Sequence, residues 1–264
     1  MTLKKIIRLL LLISCFFSVS IFAQNAPQIE PFNVGENLVY EGKFSKALLR
    51  GVAVADLTFT VECAPNKRHF IIRSEGNSKG SLPKLLNAKF YQKFESTVDG
   101  ENLQILKTVK RDEQNDRVRD SEAIFDYKDK KVIFIETDPK DTVRAPYVVA
   151  SPLEPDTQDF VSAVYALRRL PLEVGKTFDL KVSDSGLIYK IPVRITAREE
   201  QKSILGKMWC FRVEPEVFGE DRLLGREGSM IFWITDDPRR VLVRAQINYT
   251  VGRVEIKLKK INIK

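Results

Sequence analysis

Residues 52–63 read Val-Ala-Val-Ala-Asp-Leu-Thr-Phe-Thr-Val-Glu-Cys. Ala55, Leu57, Phe59 and Val61 fall on one face of an extended chain, and Asp56, Thr58, Thr60 and Glu62 fall on the other. A period of two predicts a strand with one buried face. The same alternation recurs from Phe32 to the C-terminus, broken by turn residues at Asp99-Gly100, around Asp129, and from Asp184 to Gly186. A short helical turn is predicted near Leu82–Leu86. His69 falls in a predicted loop. In the tail, Val254, Ile256 and Leu258 alternate with Glu255, Lys257 and Lys259, a strand with its basic side to water. About a dozen strands with hairpin-length connections predict a mainly β fold. Its curved antiparallel sheet forms a barrel-like or sandwich architecture with one short helix packed against it.

The helix is the exception to the period of two. Phe160, Ala163, Val164 and Leu167 recur at helical spacing, and Val161 and Tyr165 widen the stripe. The predicted helix runs from Thr157 to Leu170. Asp156 or Thr157 caps it, Asp159 lies in its first turn, and Pro171 ends it. Arg168 and Arg169 occupy the last turn. One reading makes them charges that suit their own helix terminus. The other turns Tyr165 and Arg168 toward a ligand head group, since arginine matches carboxylate or phosphate. Trp209 and Trp233, in predicted strands, are candidates either for a cavity lining or for the core.

Pro31–Phe44 and Pro171–Val182 share the order proline, apolar, any residue, Val-Gly, strand. This echo fits two similar halves meeting near residue 171, or one common way of entering a strand through a glycine turn.

The N-terminus changes the compartment. Lys4, Lys5 and Arg8 precede an apolar run from Leu9 to Phe22 that closes at Ala23. This layout predicts a signal peptide over residues 1–23, leaving a single β-rich domain over residues 24–264. The apolar run falls short of the roughly 20 residues of a membrane span, so no transmembrane span is expected after cleavage. Lipidation at Cys15 is the rival processing; against it, the chain stays apolar past that residue. Export to the periplasm or cell envelope follows.

Charge and chemistry mainly exclude. The chain carries 43 Lys+Arg and 35 Asp+Glu. Without the three basic residues of the leader the net charge is about +5, and the charges are interspersed, as in Lys110–Asp120, so a nucleic-acid partner is not expected. Beyond Cys15 only Cys63 and Cys210 remain. In an oxidising compartment they are candidates for a disulfide, the alternative being two buried thiols. With His69 as sole histidine, no zinc signature forms. No nucleophile elbow or phosphate loop is present. The adjacent carboxylates Glu199-Glu200 and Asp236-Asp237 point opposite ways on an extended chain. An enzyme, a metal and a cofactor are therefore not expected. Asn248 heads a glycosylation sequon inside a predicted strand.

Three stretches carry a resemblance. Pro31–Phe44 after the leader, Gln158–Leu180 with its Gln-Asp, short helix, arginine and Pro-Leu-x-Val-Gly, and Phe232–Ile247 with its strand–Asp turn–strand resemble the bacterial exported family catalogued as domain of unknown function 3108. The first strand pair, Leu48–Phe59, is a looser match. The resemblance implies an envelope protein with a curved antiparallel sheet and no established activity, and it carries over no catalytic residues. By analogy with curved half-barrels that hold acyl chains, the expected ligand is a lipid or part of a glycolipid. Two alternatives stand beside this expectation. One is a scaffolding protein that uses strand edges, with Lys257, Lys259 and Lys260 as a candidate surface. The other is a carbohydrate-active enzyme with two carboxylates in one cleft.

Overall fold

In the computed structural model, which describes residues 32–263, the first run of alternation becomes eight strands. They are β1 (Asn37–Lys46), β2 (Leu49–Cys63), β3 (His69–Ser78), β4 (Phe90–Asp99), β5 (Ile105–Gln114), β6 (Arg117–Asp126), β7 (Lys131–Thr137) and β8 (Tyr147–Pro152). Each pairs antiparallel with the next. The one-turn helix α1 (Leu82–Leu85) sits between β3 and β4, where the sequence predicts it. His69, expected in a loop, opens β3 instead, because its backbone pairs with Asp99.

A two-residue strand, β9 (Gln158–Asp159), then leads into helix α2 (Phe160–Ala166) and a 3-10 turn over Leu167–Arg169. Six strands return: β10 (Thr177–Asp184), β11 (Leu187–Ser203), β12 (Gly206–Pro215), β13 (Gly228–Thr235), β14 (Leu242–Tyr249) and β15 (Gly252–Asn262). These also form a meander, and β15 pairs antiparallel with β1. All fifteen strands thus make one sheet, with β1 and β15 in its middle and β8 and β9 at its two ends. The first half of the sheet is β1–β8 and the second β9–β15. The C-terminal strand was a candidate binding edge; it is no edge, because both its sides are hydrogen-bonded.

The sheet curls until its ends meet. The Ser151 hydroxyl donates to the Gly186 carbonyl at 2.5 Å. Gly186, in the β10–β11 turn, has φ +81°, and a Cβ there would lie 2.8 Å from Phe134 Cβ and 2.9 Å from Val149 Cβ. Only glycine lets the turn approach β7 and β8 so closely.

The sequence echo has a structural counterpart. Gly35 (φ 86°) donates its N–H to the Val61 carbonyl, and Gly175 (φ 92°) donates to the Ile195 carbonyl, both at 2.8 Å. The next carbonyls, of Glu36 and Lys176, accept from Val61 and Ile195 in return. Phe32 and Leu172 are buried, and Val34 and Val174 are exposed. Each meander therefore begins through the same turn. The largest difference in burial follows the glycine: Lys176 is at the surface and Glu36 is buried.

Three apolar clusters fill the fold. The first, with Val61, Ile72, Val98, Ile105 and Val132, lies under the first half and takes Val161 and Tyr165 from α2. The second lies under β10–β13 and takes Ala163 and Leu167. The third, around Tyr40, Cys210, Trp233 and Val243, joins β1 and β15 to the other face of β12–β14. β13 accordingly buries both faces, Met230 and Ile234 toward the second cluster and Ile231 and Trp233 toward the third.

Candidate functional site

Helix α2 is the structural centre, and its two ends are held by buried charge. At its start the cap is Asp159, not Asp156 or Thr157, because Gln158 and Asp159 stay extended to pair with Val182 and Ser183 of β10. One Asp159 oxygen accepts the N–H groups of Val161 at 3.0 Å and Ser162 at 2.6 Å. The Ser162 hydroxyl accepts the Asp159 N–H and completes a capping box. The other oxygen accepts hydroxyls from Ser96 on β4 and from Thr108 on β5, the latter at 2.6 Å. Asp159 is therefore both a helix cap and a tie to the first half of the sheet.

At the far end, Arg168 donates through two nitrogens to the two Glu36 oxygens, each at 2.9 Å. Their side chains are 3% and 0% exposed. The Tyr165 ring lies 4.5 Å from the Arg168 guanidinium carbon, close enough for cation–π attraction. Burial alone lowers the Arg168 pKa, but hydrogen bonds and the charge of Glu36 outweigh it and hold the guanidinium above its ordinary value. Burial, reinforced by Glu36, pushes the Tyr165 phenol well above its own. Arg168 is thus neither an end-of-helix surface charge nor a group turned to solvent for a ligand. Arg169 is the exposed arginine of the pair.

Toward the second half, α2 offers Phe160, Ala163, Val164 and Leu167. An apolar cleft of about 50 Å³ separates them from Leu180, Val182 and Ile191 of β10–β11 and from Met230 and Phe232 of β13. Phe160 is 44% exposed at this seam. So α2 is tied to the first half through buried polar contacts at both ends, and beyond the β9–β10 pairing at its start it meets the second half through hydrocarbon.

The four side chains singled out from sequence do not converge. Tyr165 and Arg168 lie together beneath the first half. Trp233 faces away from α2 in the third cluster, donating its indole N–H to Glu199 and lying 4.3 Å from the Arg244 guanidinium. Trp209 is 50% exposed on β12, 4.6 Å from the Arg198 guanidinium. Neither tryptophan lines the seam. Cys63 and Cys210 are free thiols, Cys63 exposed and Cys210 buried. Four strands stand between β2 and β12 in the sheet, each about 4.8 Å wide, which separates the two thiols. Burial pushes the Cys210 thiol up to about 12. Among the described residues no cluster of three His, Cys, Asp or Glu side chains suits a metal ion, and no helix is long and apolar enough to cross a membrane. The leader and Cys15 lie outside the described residues.

Two solved structures match most of the chain. A β-barrel-like protein of domain of unknown function DUF1849 from Brucella abortus superposes with a TM-score of 0.60, covering 88% of this chain and 98% of its own at 10% identity. A candidate exported protein with a YmcC-like fold from Bacteroides fragilis is matched at 10% identity over 89% of this chain and 98% of its own, with a TM-score of 0.33. The Brucella protein shows that the curled sheet is a barrel-like fold; at this identity it carries no activity across. No curated protein matches the chain. The model of the family described as protein of unknown function DUF3108 matches residues 39–259, nearly the whole described sheet, and the chain belongs to that family.

Proposed function

We propose that this protein is a non-enzymatic, exported envelope protein that takes an amphipathic molecule, a lipid or part of a glycolipid, into the seam between α2 and the second half of the sheet. Export rests on the basic–apolar–small layout of residues 1–23. The observation that carries the binding site is the asymmetry of α2. Buried charge fixes the helix to one side, and on the other, past the β9–β10 pairing at its start, only apolar contacts would have to part. At about 50 Å³ the cleft is well short of the roughly 300–1,000 Å³ of an open ligand pocket. An acyl chain therefore enters by widening the seam. The ligand supplies the apolar surface that Ala163, Leu167 and Met230 give up as they separate.

Delipidated protein is expected to take up a fluorescent fatty-acid probe saturably, and native mass spectrometry of purified protein to show bound lipid. Val164→Asp puts a charge in the seam and should abolish uptake while leaving the β circular dichroism unchanged. No uptake and no lipid adduct with the natural sequence would overturn the reading.

A further inference from the structure

One rim of the curled sheet, where its middle strands turn, carries an exposed apolar and basic surface that the seam does not use. The β1–β2 hairpin reads Lys46-Ala-Leu-Leu-Arg50, and Leu48 at its tip is 99% exposed. Beside it the α1 segment reads Lys84-Leu-Leu-Asn-Ala-Lys89, with Leu85 81% and Leu86 60% exposed. The β14–β15 turn adds Val251 at 60%. These segments meet. Ser45 of β1 is the register partner of Arg253 of β15, and the Lys79 N–H donates to the Val54 carbonyl. A cleft of about 680 Å³ between α1 and the strands is lined by Phe44, Leu86, Phe90, Lys89, Arg226 and Tyr249. A second, more open one of about 770 Å³ shares Tyr249 and runs along the β1–β2 hairpin.

The three segments carry only basic charge, and exposed carboxylates border them at Asp116, next to the Asn115 that hydrogen-bonds Lys89, and at Glu227, next to Arg226. No acidic residue occurs between Glu41 and Asp56, between Glu75 and Glu95, or between Asp237 and Glu255. The flanking Glu41 and Asp56 are engaged by Lys43, Lys79 and Lys259. Lys46, Arg50, Lys84, Lys89 and Arg253 are exposed and form no ion pair among the described residues. Isolated apolar residues on a surface are ordinary. Leucines at the tips of two adjacent loops, each flanked in sequence by cations and no acid, are the pattern of a surface that inserts side chains at a lipid interface and pairs with anionic head groups.

We infer that this rim of the curled sheet docks on an anionic bilayer surface, with Leu48, Leu85 and Leu86 entering the interface and the five cations facing phosphate head groups. Docking here is independent of ligand uptake at the seam.

Co-sedimentation of the whole protein with vesicles tests it. Phosphatidylcholine vesicles containing phosphatidylglycerol should bind the protein, and pure phosphatidylcholine should not. Binding should weaken as sodium chloride is raised. Leu48→Glu with Leu85→Glu, at side chains that support no packing, should abolish binding with the fold intact by circular dichroism. Each of Lys46, Arg50, Lys84 and Lys89 changed to Gln should lower the partition coefficient roughly five-fold. Val164→Asp should bind vesicles like the natural sequence, which separates failure at the seam from failure here. Equal binding to neutral and anionic vesicles would overturn the proposal. So would vesicle binding indifferent to the leucine changes, or heparin binding as tight as vesicle binding and equally indifferent, which would mark a generic polyanion site.

Discussion

Replacing Arg168 with methionine removes one side of the buried pair and leaves the Glu36 carboxylate, 0% exposed, without its cation. Methionine is close to arginine in length, so the cavity left is small and the cost is electrostatic. Breaking a buried pair in this way costs about 3–5 kcal/mol. For a chain of this size each kcal/mol lowers the melting temperature by about 2–4 °C, so a drop of roughly 6–20 °C is expected. Glu36→Leu alone strands the guanidinium and should cost a similar amount. The double variant replaces the pair by hydrocarbon and should fall short of the natural protein only by the Tyr165–Arg168 contact, about 2 kcal/mol when desolvated. Urea unfolding followed by circular dichroism at pH 7, analysed as a double-mutant cycle, measures all three. Single variants that cost under 1 kcal/mol, or a double variant whose loss equals the sum of the singles, would refute the assignment of a dry, mutually neutralising pair.

Other expectations concern single sites. Gly186→Ala should destabilise far more than Gly175→Ala: both have positive φ, but only at Gly186 does the new Cβ meet Phe134 and Val149 below 3 Å, and thermal melts rank them directly. Cys63 should react with a thiol reagent in the native protein and Cys210 only in denaturant, as burial pushes the Cys210 thiol up to about 12; equal native rates would contradict the packing of the third cluster. At Asp237 burial works against ionisation, but hydrogen bonds from Arg239 and Thr235 still hold the carboxyl below its ordinary value, and Lys257 and Arg244 do the same for Glu255. For such depressed groups the stabilisation is complete above the unfolded value and disappears as pH falls through the folded one. The urea midpoint should therefore be flat above pH about 5 and decline below about 4.

Strands were legible because a half-buried sheet writes itself as a period of two, and β2 shows it from Ala55 to Val61. The turn entries at Gly35 and Gly175 were legible as an echo, since the same backbone demand selects Val-Gly twice. The order of the sheet was not, because nothing local distinguishes a strand in the middle from one at the edge, and β15 was misplaced for that reason. The helix start was misplaced by three residues within Asp-Thr-Gln-Asp, where three residues make good caps. The usable signal was Ser162 three residues beyond Asp159. The role of Arg168 was hidden completely: its partner lies 132 residues away, and a buried glutamate directly after a glycine turn reads like any surface charge. The leucine-tipped loops were visible as sequence, but their adjacency depends on β2 pairing with β3, and Val251 joins them through the pairing of β1 with β15.

That pairing fixes an order of assembly. Each meander is built from neighbours in sequence, so its hairpins can form while the remainder of the chain is still unstructured. The bond between the meanders joins Asn37 to Asn262 and Ser45 to Arg253, and it closes a loop of some two hundred residues, one of the costliest closures the chain makes. Until β15 arrives, β1 and β14 each present an open row of amides and carbonyls, the template on which chains aggregate. Loss of the last dozen residues would therefore leave two adhesive half-sheets rather than a slightly smaller protein.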